Sequence, residues 1–231
     1  MTISKLLKLS AVGIMCMLPS ACSVNPATGS ADIVTMSQSS EIELGREMHE
    51  KILATTPIYK DEKLQQYIER IGKEIALKSD RPELTYHFTV IDEQNINAFA
   101  IPGGYIYVNR GLLAYLKTEA QLAAVIAHEI AHITARHSVR QDAARKGAGF
   151  LSILTILTTG NAVLTDMSSL WSSAAVKGYG REMELEADQF GAVYMHRAGY
   201  DPNAMLDTLG CLLYTSPSPR DMRRTRMPSS A

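Results

Sequence analysis

His128-Glu129-Ile130-Ala131-His132 is the stretch on which the reading of this chain turns. At about 3.6 residues per turn the two histidines lie about 40° apart on one helix face, so both ring nitrogens can reach one metal ion. Glu129 sits about 100° round from His128, too far for a convenient third ligand but within reach of a metal-activated water as general base. Thr118 and Gln121 fit the cap of the helix that carries them, and Leu122, Ile126, Ile130 and Ile133 form an apolar stripe opposite the metal-binding edge. The spacing predicts a helix from about 119 to 138 or slightly beyond.

A catalytic zinc site takes three protein ligands and keeps one open position, so a third ligand is needed downstream. The metzincin pattern would place Gly at 135 and His at 138, where Ala135 and Ser138 stand, and is excluded. The remaining option is a carboxylate on a second helix, offered by Arg181-Glu182-Met183-Glu184-Leu185-Glu186-Ala187-Asp188. Glu184 and Asp188 are four residues apart and share a face, so one can bind metal while the other orients a ligand histidine. Residue choice alone favours Glu184 over Glu186 only weakly.

Three blocks together, Asn97-Ala98-Phe99-Ala100-Ile101-Pro102-Gly103-Gly104, His128 to His132, and Arg181 to Asp188 followed by Gly191, resemble the HtpX-like and CAAX-prenyl-protease-like zinc metallopeptidases, in particular their soluble bacterial periplasmic and lipoprotein members. The resemblance runs from about residue 25 to 210. It implies an α+β zincin-like domain, mostly helical with a small sheet beside the active-site helix. It also implies one Zn2+ per chain held by His128, His132 and Glu184, with Glu129 as the catalytic base and Asp188 supporting a ligand from behind. Asn97, Ala98, Phe99 and Ala100 occupy the place of an edge strand that binds substrate backbone by strand addition.

The rest of the chain reads as α+β in order. Ser40-Glu41-Ile42-Glu43 fits a capping box, followed by an apolar face at Leu44, Met48 and Ile52; Leu64, Tyr67, Ile68, Ile71 and Ile75 mark a second helix. Tyr86, Phe88 and Val90 alternate with polar residues as in a half-buried strand, and Tyr105 to Asn109 forms another after the Pro102-Gly103-Gly104 turn. Glu182, Glu186, Arg136, Arg140, Arg145 and Lys146 read as a solvated helix face, and His49, His87, His137 and His196 lack partners at ligand spacing. Residues 147–180 are rich in Gly, Ser, Thr and Ala. The apolar patch Phe150 to Leu157 within them is too short for a membrane span and reads as buried packing; its place between the two metal-binding helices also suits a mobile flap.

The ends set the compartment and the boundaries. Lys5 and Lys8, the apolar run Leu9 to Leu18 and Pro19-Ser20-Ala21-Cys22 give a secretory signal over residues 1–21. Cys22 stands where a lipobox cysteine is lipidated, with Ser23 suiting outer-membrane sorting and plain cleavage after Ala21 as the competing reading. Residues 22–40 are expected to be a short polar linker and 41–210 the peptidase domain. Residues 211–231 look like a translated sequencing adapter, so the domain is expected to be cut off near Leu209. The whole chain has 23 basic and 24 acidic residues; setting both ends aside removes six basic and one acidic residue and leaves a net charge of −6, which argues against nucleic-acid binding. Cys16, Cys22 and Cys211 leave no disulfide framework.

The expected function is a zinc-dependent endopeptidase of the bacterial periplasm, anchored to the outer membrane as a lipoprotein and acting on misfolded or misassembled envelope proteins. The substrate class rests on the resemblance. The alternative is a zinc-bound periplasmic chaperone or assembly factor for outer-membrane proteins with little hydrolysis.

Overall fold

Ser37, not Ser40, opens the first helix. In the computed structural model, which describes residues 22–24, 29, 31–33, 36–141 and 179–208, helix α1 covers Gln38–Thr55 and the Ser37 hydroxyl accepts from the Ser40 amide at 3.1 Å. The expected capping box fails because Glu43 turns outward to Arg46, while Glu41, almost fully buried, carries its carboxylate into the protein. Ahead of α1, the stretch expected as a linker holds a two-stranded antiparallel pair, β1 (Cys22–Val24) and β2 (Ala31–Ile33). Helix α2 (Glu62–Ala76) is capped by Asp61, whose side chain accepts from Leu64, and it buries Ile68, Ile71 and Ile75 as its periodicity predicts.

A three-stranded sheet follows, with β3 (His87–Ile91), β4 (Ala98–Ile101) and β5 (Tyr105–Asn109) in the order β3-β5-β4. β5 runs parallel to β3 and antiparallel to β4, so β4 is an edge strand among the described residues. The Pro102-Gly103-Gly104 turn joins β4 to β5 with φ of +81° and +97° at the two glycines, a region side chains rarely adopt. A Cβ on Gly104 would also stand 2.3 Å from the Thr85 carbonyl oxygen, so the turn requires glycine on both counts.

The short helix α3 (Arg110–Leu113) leads to α4 (Glu119–Thr134), capped as expected by Thr118, which accepts from the Gln121 amide at 3.2 Å. α4 is the central helix: besides Leu122, Ile126, Ile130 and Ile133, its alanines 123, 124, 127 and 131 are buried. The next long helix in the described chain, α5 (Arg181–Arg197), packs closely along it. The small side chains permit this approach, and Gly191 completes it, since a Cβ there would meet the His128 amide nitrogen at 3.2 Å.

α4 stops at least four residues short of the expected end. Ala135 bonds back to Ala131, and Arg136 takes the left-handed conformation at φ +54°, after which a new helical turn begins at His137. Buried ion pairing holds this break. Glu41 accepts from Arg136 Nε at 2.9 Å and from Arg81 Nη1 at 3.0 Å; Arg81 also donates to the Ile133 carbonyl, and Arg136 to that of Met36. Arg136 is therefore buried, against the solvated-face expectation. The stretch 142–178, which contains most of the expected flap and its apolar patch, lies outside the described residues, as do the expected signal and the residues after 208. No helix among the described residues is long and apolar enough to cross a membrane.

Candidate active site

α4 and α5 meet so that four side chains converge. His128 and His132 project from one face of α4, and their Nε2 atoms lie 2.9 Å apart. Glu184 reaches in from the first turn of α5, its Oε2 3.4 Å from His128 Nε2 and 4.0 Å from His132 Nε2. One donor atom from each of the three lies within 4.8 Å of the others, a spacing that one metal ion could bridge. Asp188, one turn further along α5, faces the back of His128, with Oδ1 2.9 Å from Nδ1. The sequence-predicted quartet is thus brought together, and the pairing of Asp188 with Nδ1 leaves Nε2 of His128 aimed at the shared point.

The electrostatics of the cluster favour a cation there. Burial works against a charged His128, but the carboxylates of Asp188, Glu184 and Glu129 outweigh it and hold its pKa up at about 10. Glu184 is pushed up by burial yet ends below the usual carboxylate range, because His128 and the Tyr179 amide stabilise its charge. His132 is driven well below the ordinary imidazole value by burial, then by His128 and His137, so it offers a neutral ring. Two imidazoles and one ionised carboxylate form the donor set of a hydrolytic zinc site, and this chain's residues fit it.

Glu129 lies on the adjoining face of α4, 8 % exposed. Burial lifts its carboxyl to about 7; His128 pulls it down, Glu184 pushes it up, and the backbone of Ala100 in β4 lowers it again. A cavity of about 320 Å³ opens between α4, α5 and β4, and Asn97, Ala98, His128, Glu129, Glu184 and Asp188 all line it. The Asn109 amide donates to the Asn97 carbonyl, and the register continues with Phe99 opposite Tyr107. In an antiparallel pair this alternation turns the backbone groups of Ala98 and Ala100 off the open edge. The ring of Phe99 lies on the other side, stacked on Tyr107 at 4.9 Å.

Four neighbours escape the sequence reading. His137, fully buried, places Nδ1 2.7 Å from His132 Nδ1 and Nε2 3.1 Å from Glu186 Oε2. Arg140 donates to the same Glu186 oxygen at 2.8 Å, so neither Glu186 nor Arg140 belongs to a solvated face. Tyr179 stacks on His132 with ring centroids 4.2 Å apart and donates its amide to Glu184 Oε1 at 3.0 Å. An i, i+5 histidine spacing is not a helical neighbour relation, so the pairing of His132 with His137 was hidden by the break at Arg136. Of the other histidines, His49 contacts the Tyr107 hydroxyl at 2.6 Å, and both His49 and His87 stack on Tyr105, away from the cluster.

Comparison with known proteins agrees with this geometry. A family model described as Peptidase family M48 matches residues 62–227. The chain is 33% identical over 159 residues to a putative beta-barrel assembly-enhancing protease of Vibrio cholerae serotype O1, covering 64% of this chain and 33% of the relative. It is 30% identical over 220 residues to the beta-barrel assembly-enhancing protease of Escherichia coli (strain K12), 89% of this chain and 45% of the relative. It is 36% identical over 140 residues to mitochondrial metalloendopeptidase OMA1 of Schizosaccharomyces pombe, 60% of this chain and 41% of the relative. The chain thus spans less than half the length of these curated relatives. With a family match over more than two thirds of its residues and a His-His-Glu cluster of the matching chemistry, this chain belongs to peptidase family M48, a family of metallopeptidases.

Proposed function

We propose that the chain is a zinc-dependent endopeptidase that holds one zinc ion through His128 Nε2, His132 Nε2 and a Glu184 carboxylate oxygen. The observation that carries the proposal is the convergence of these three donors beside a buried carboxylate, Glu129, in a cavity bounded by an open strand edge. When bound, zinc supplies Lewis acidity toward the scissile carbonyl and the attacking water. Glu129 takes the proton of that water and passes it to the leaving amine, so the bond is hydrolysed without a covalent enzyme intermediate. Asp188 accepts from His128 Nδ1–H and keeps Nε2 free for the metal. The edge at Asn97 to Ala100 aligns an extended substrate backbone. Ala98 supplies the outward-facing hydrogen-bonding groups, and the Ala100 backbone steadies Glu129.

For the setting, we infer cleavage of unfolded or misassembled cell-envelope proteins, including outer-membrane proteins. Support comes from two relatives named for enhancing beta-barrel assembly and from the signal-like N-terminus. The same N-terminus supports a periplasmic enzyme tethered to the outer membrane through a lipid on Cys22. The intact base Glu129 and the protease names of the relatives favour hydrolysis over a chaperone role. The test is digestion of an unfolded protein such as casein by the zinc-loaded chain, beside Glu129→Gln and a chelator-treated sample. Cleavage that both controls abolish is the expected result; zinc uptake without any cleavage would overturn the assignment.

A further inference from the structure

We propose that His137 and Glu186 are positioning residues that fix the proton of His132 on Nδ1 and so leave its Nε2 lone pair for the metal; this rests on the metal site proposed above. His128 is backed directly by a carboxylate, since Asp188 touches its Nδ1. Among the described residues, no carboxylate touches Nδ1 of His132. Its Nδ1 faces another imidazole nitrogen, His137 Nδ1, at 2.7 Å, a contact that requires one proton shared between two nitrogens. Which ring carries it decides whether His132 can be a ligand.

Glu186 makes the choice. Its Oε2 lies 3.1 Å from His137 Nε2 and also accepts from Arg140 Nη1 at 2.8 Å, so it is an ionised acceptor that needs a donor from His137. His137 therefore carries its proton on Nε2. Arg140 already supplies the positive partner of Glu186, so the buried His137 ring needs only the one proton it donates to that carboxylate, which leaves Nδ1 as a lone pair. His132 must then donate Nδ1–H to it, and Nε2 of His132 is left bare toward Nε2 of His128 and Glu184. The hydrogen bonds run one way, from His132 through His137 to Glu186. A carboxylate thus acts on each ligand imidazole, directly for His128 and through one interposed ring for His132. The break at Arg136 makes this possible by turning the chain back so that position 137 meets position 132. Tyr179 closes the flat side of His132 and limits its rotation.

The experiment uses the whole chain, with zinc affinity measured by chelator competition and ring protons located by 15N NMR of labelled histidines. His137→Phe is expected to weaken zinc binding about 10- to 100-fold, the usual effect of removing a group that orients a metal ligand. His137→Asn, whose side-chain oxygen can accept near the former Nδ1, is expected to recover most of that loss. Glu186→Gln keeps an acceptor for His137 and is expected to lose only several-fold, and it guards against a His137 variant that fails to fold. In the unaltered chain the proton of His132 should sit on Nδ1 and that of His137 on Nε2. Equal zinc affinity in His137→Phe and the unaltered chain would overturn the proposal, as would a His137 proton found on Nδ1. An unaltered chain that takes up no zinc would instead sink the metal-site reading, while the ring-proton positions would still decide this one.

Discussion

Replacing Glu41 by Ala should damage the proposed zinc site although Glu41 touches none of its proposed ligands. Glu41 lies on α1, and its carboxylate sits between Arg81 and Arg136 at 3.0 and 2.9 Å, with side-chain exposures of 2%, 3% and 9% for the three groups. Removing one partner from a buried charge pair leaves the remaining charge desolvated and costs about 3–5 kcal/mol. For a domain of this size that corresponds to a fall of roughly 6–20 °C in melting temperature. The loss should not stop at stability. Arg136 occupies a left-handed conformation that this carboxylate helps to hold, and the following residue, His137, contacts the proposed ligand His132. Zinc affinity should therefore fall together with stability, by several-fold at temperatures where the variant is still folded. The assays are thermal or urea unfolding of the zinc-free chain and chelator competition at 10 °C. A stability loss below about 1 kcal/mol would refute the reasoning about buried charge. A large loss with unchanged zinc affinity would refute the coupling through Arg136.

Three further outcomes are expected. In zinc-buffered solution kcat/KM should fall about tenfold per pH unit on the acid side, because Glu129, raised by burial to about 7, must be ionised to accept a proton. A bound cation lowers that pKa further, so the limb should lie at or below 7, and a limb above pH 8 would contradict the assignment. Zinc loading at pH 8 should release about one proton per ion, since His128 in the metal-free cluster holds its proton up to about 10 and must surrender it to bind metal. Calorimetry in buffers of different ionisation enthalpy measures this, and release near zero would count against His128 as a ligand. Gly191→Val should destabilise by about 1–3 kcal/mol and weaken zinc binding, because even a Cβ there meets Met205 Cε at 2.8 Å and the α4 backbone beside His128 at 3.2 Å. An unchanged melting temperature would mean that the two helices can separate at no cost.

What the amino-acid sequence determined by itself was whatever depends on neighbours along one helix or strand. His128 with His132, and Glu184 with Asp188, are i, i+4 pairs, and a helix puts such residues on one face wherever it is placed. The Thr118 cap, the buried periodicity of α2 and the Pro-Gly-Gly turn are local in the same sense. The local pattern at α1 misleads because several serines compete for the cap and Glu43, the carboxylate of the expected box, pairs with Arg46, while Glu41 is claimed by distant arginines. What only the tertiary structure decided was the pairing of groups far apart in sequence. Glu41 meets Arg136 across 95 residues, His137 meets Glu186 across 49, and Tyr179 reaches both His132 and Glu184. Nothing local requires an arginine to end α4 in a left-handed turn; glycine or asparagine would be the usual choice. The break exists because buried ion pairs offset its strain, and those pairs form only once Glu41 of α1 is brought to Arg81 and Arg136. The same long-range packing turns residues that look like a solvated helix face into the support of the His-His-Glu cluster.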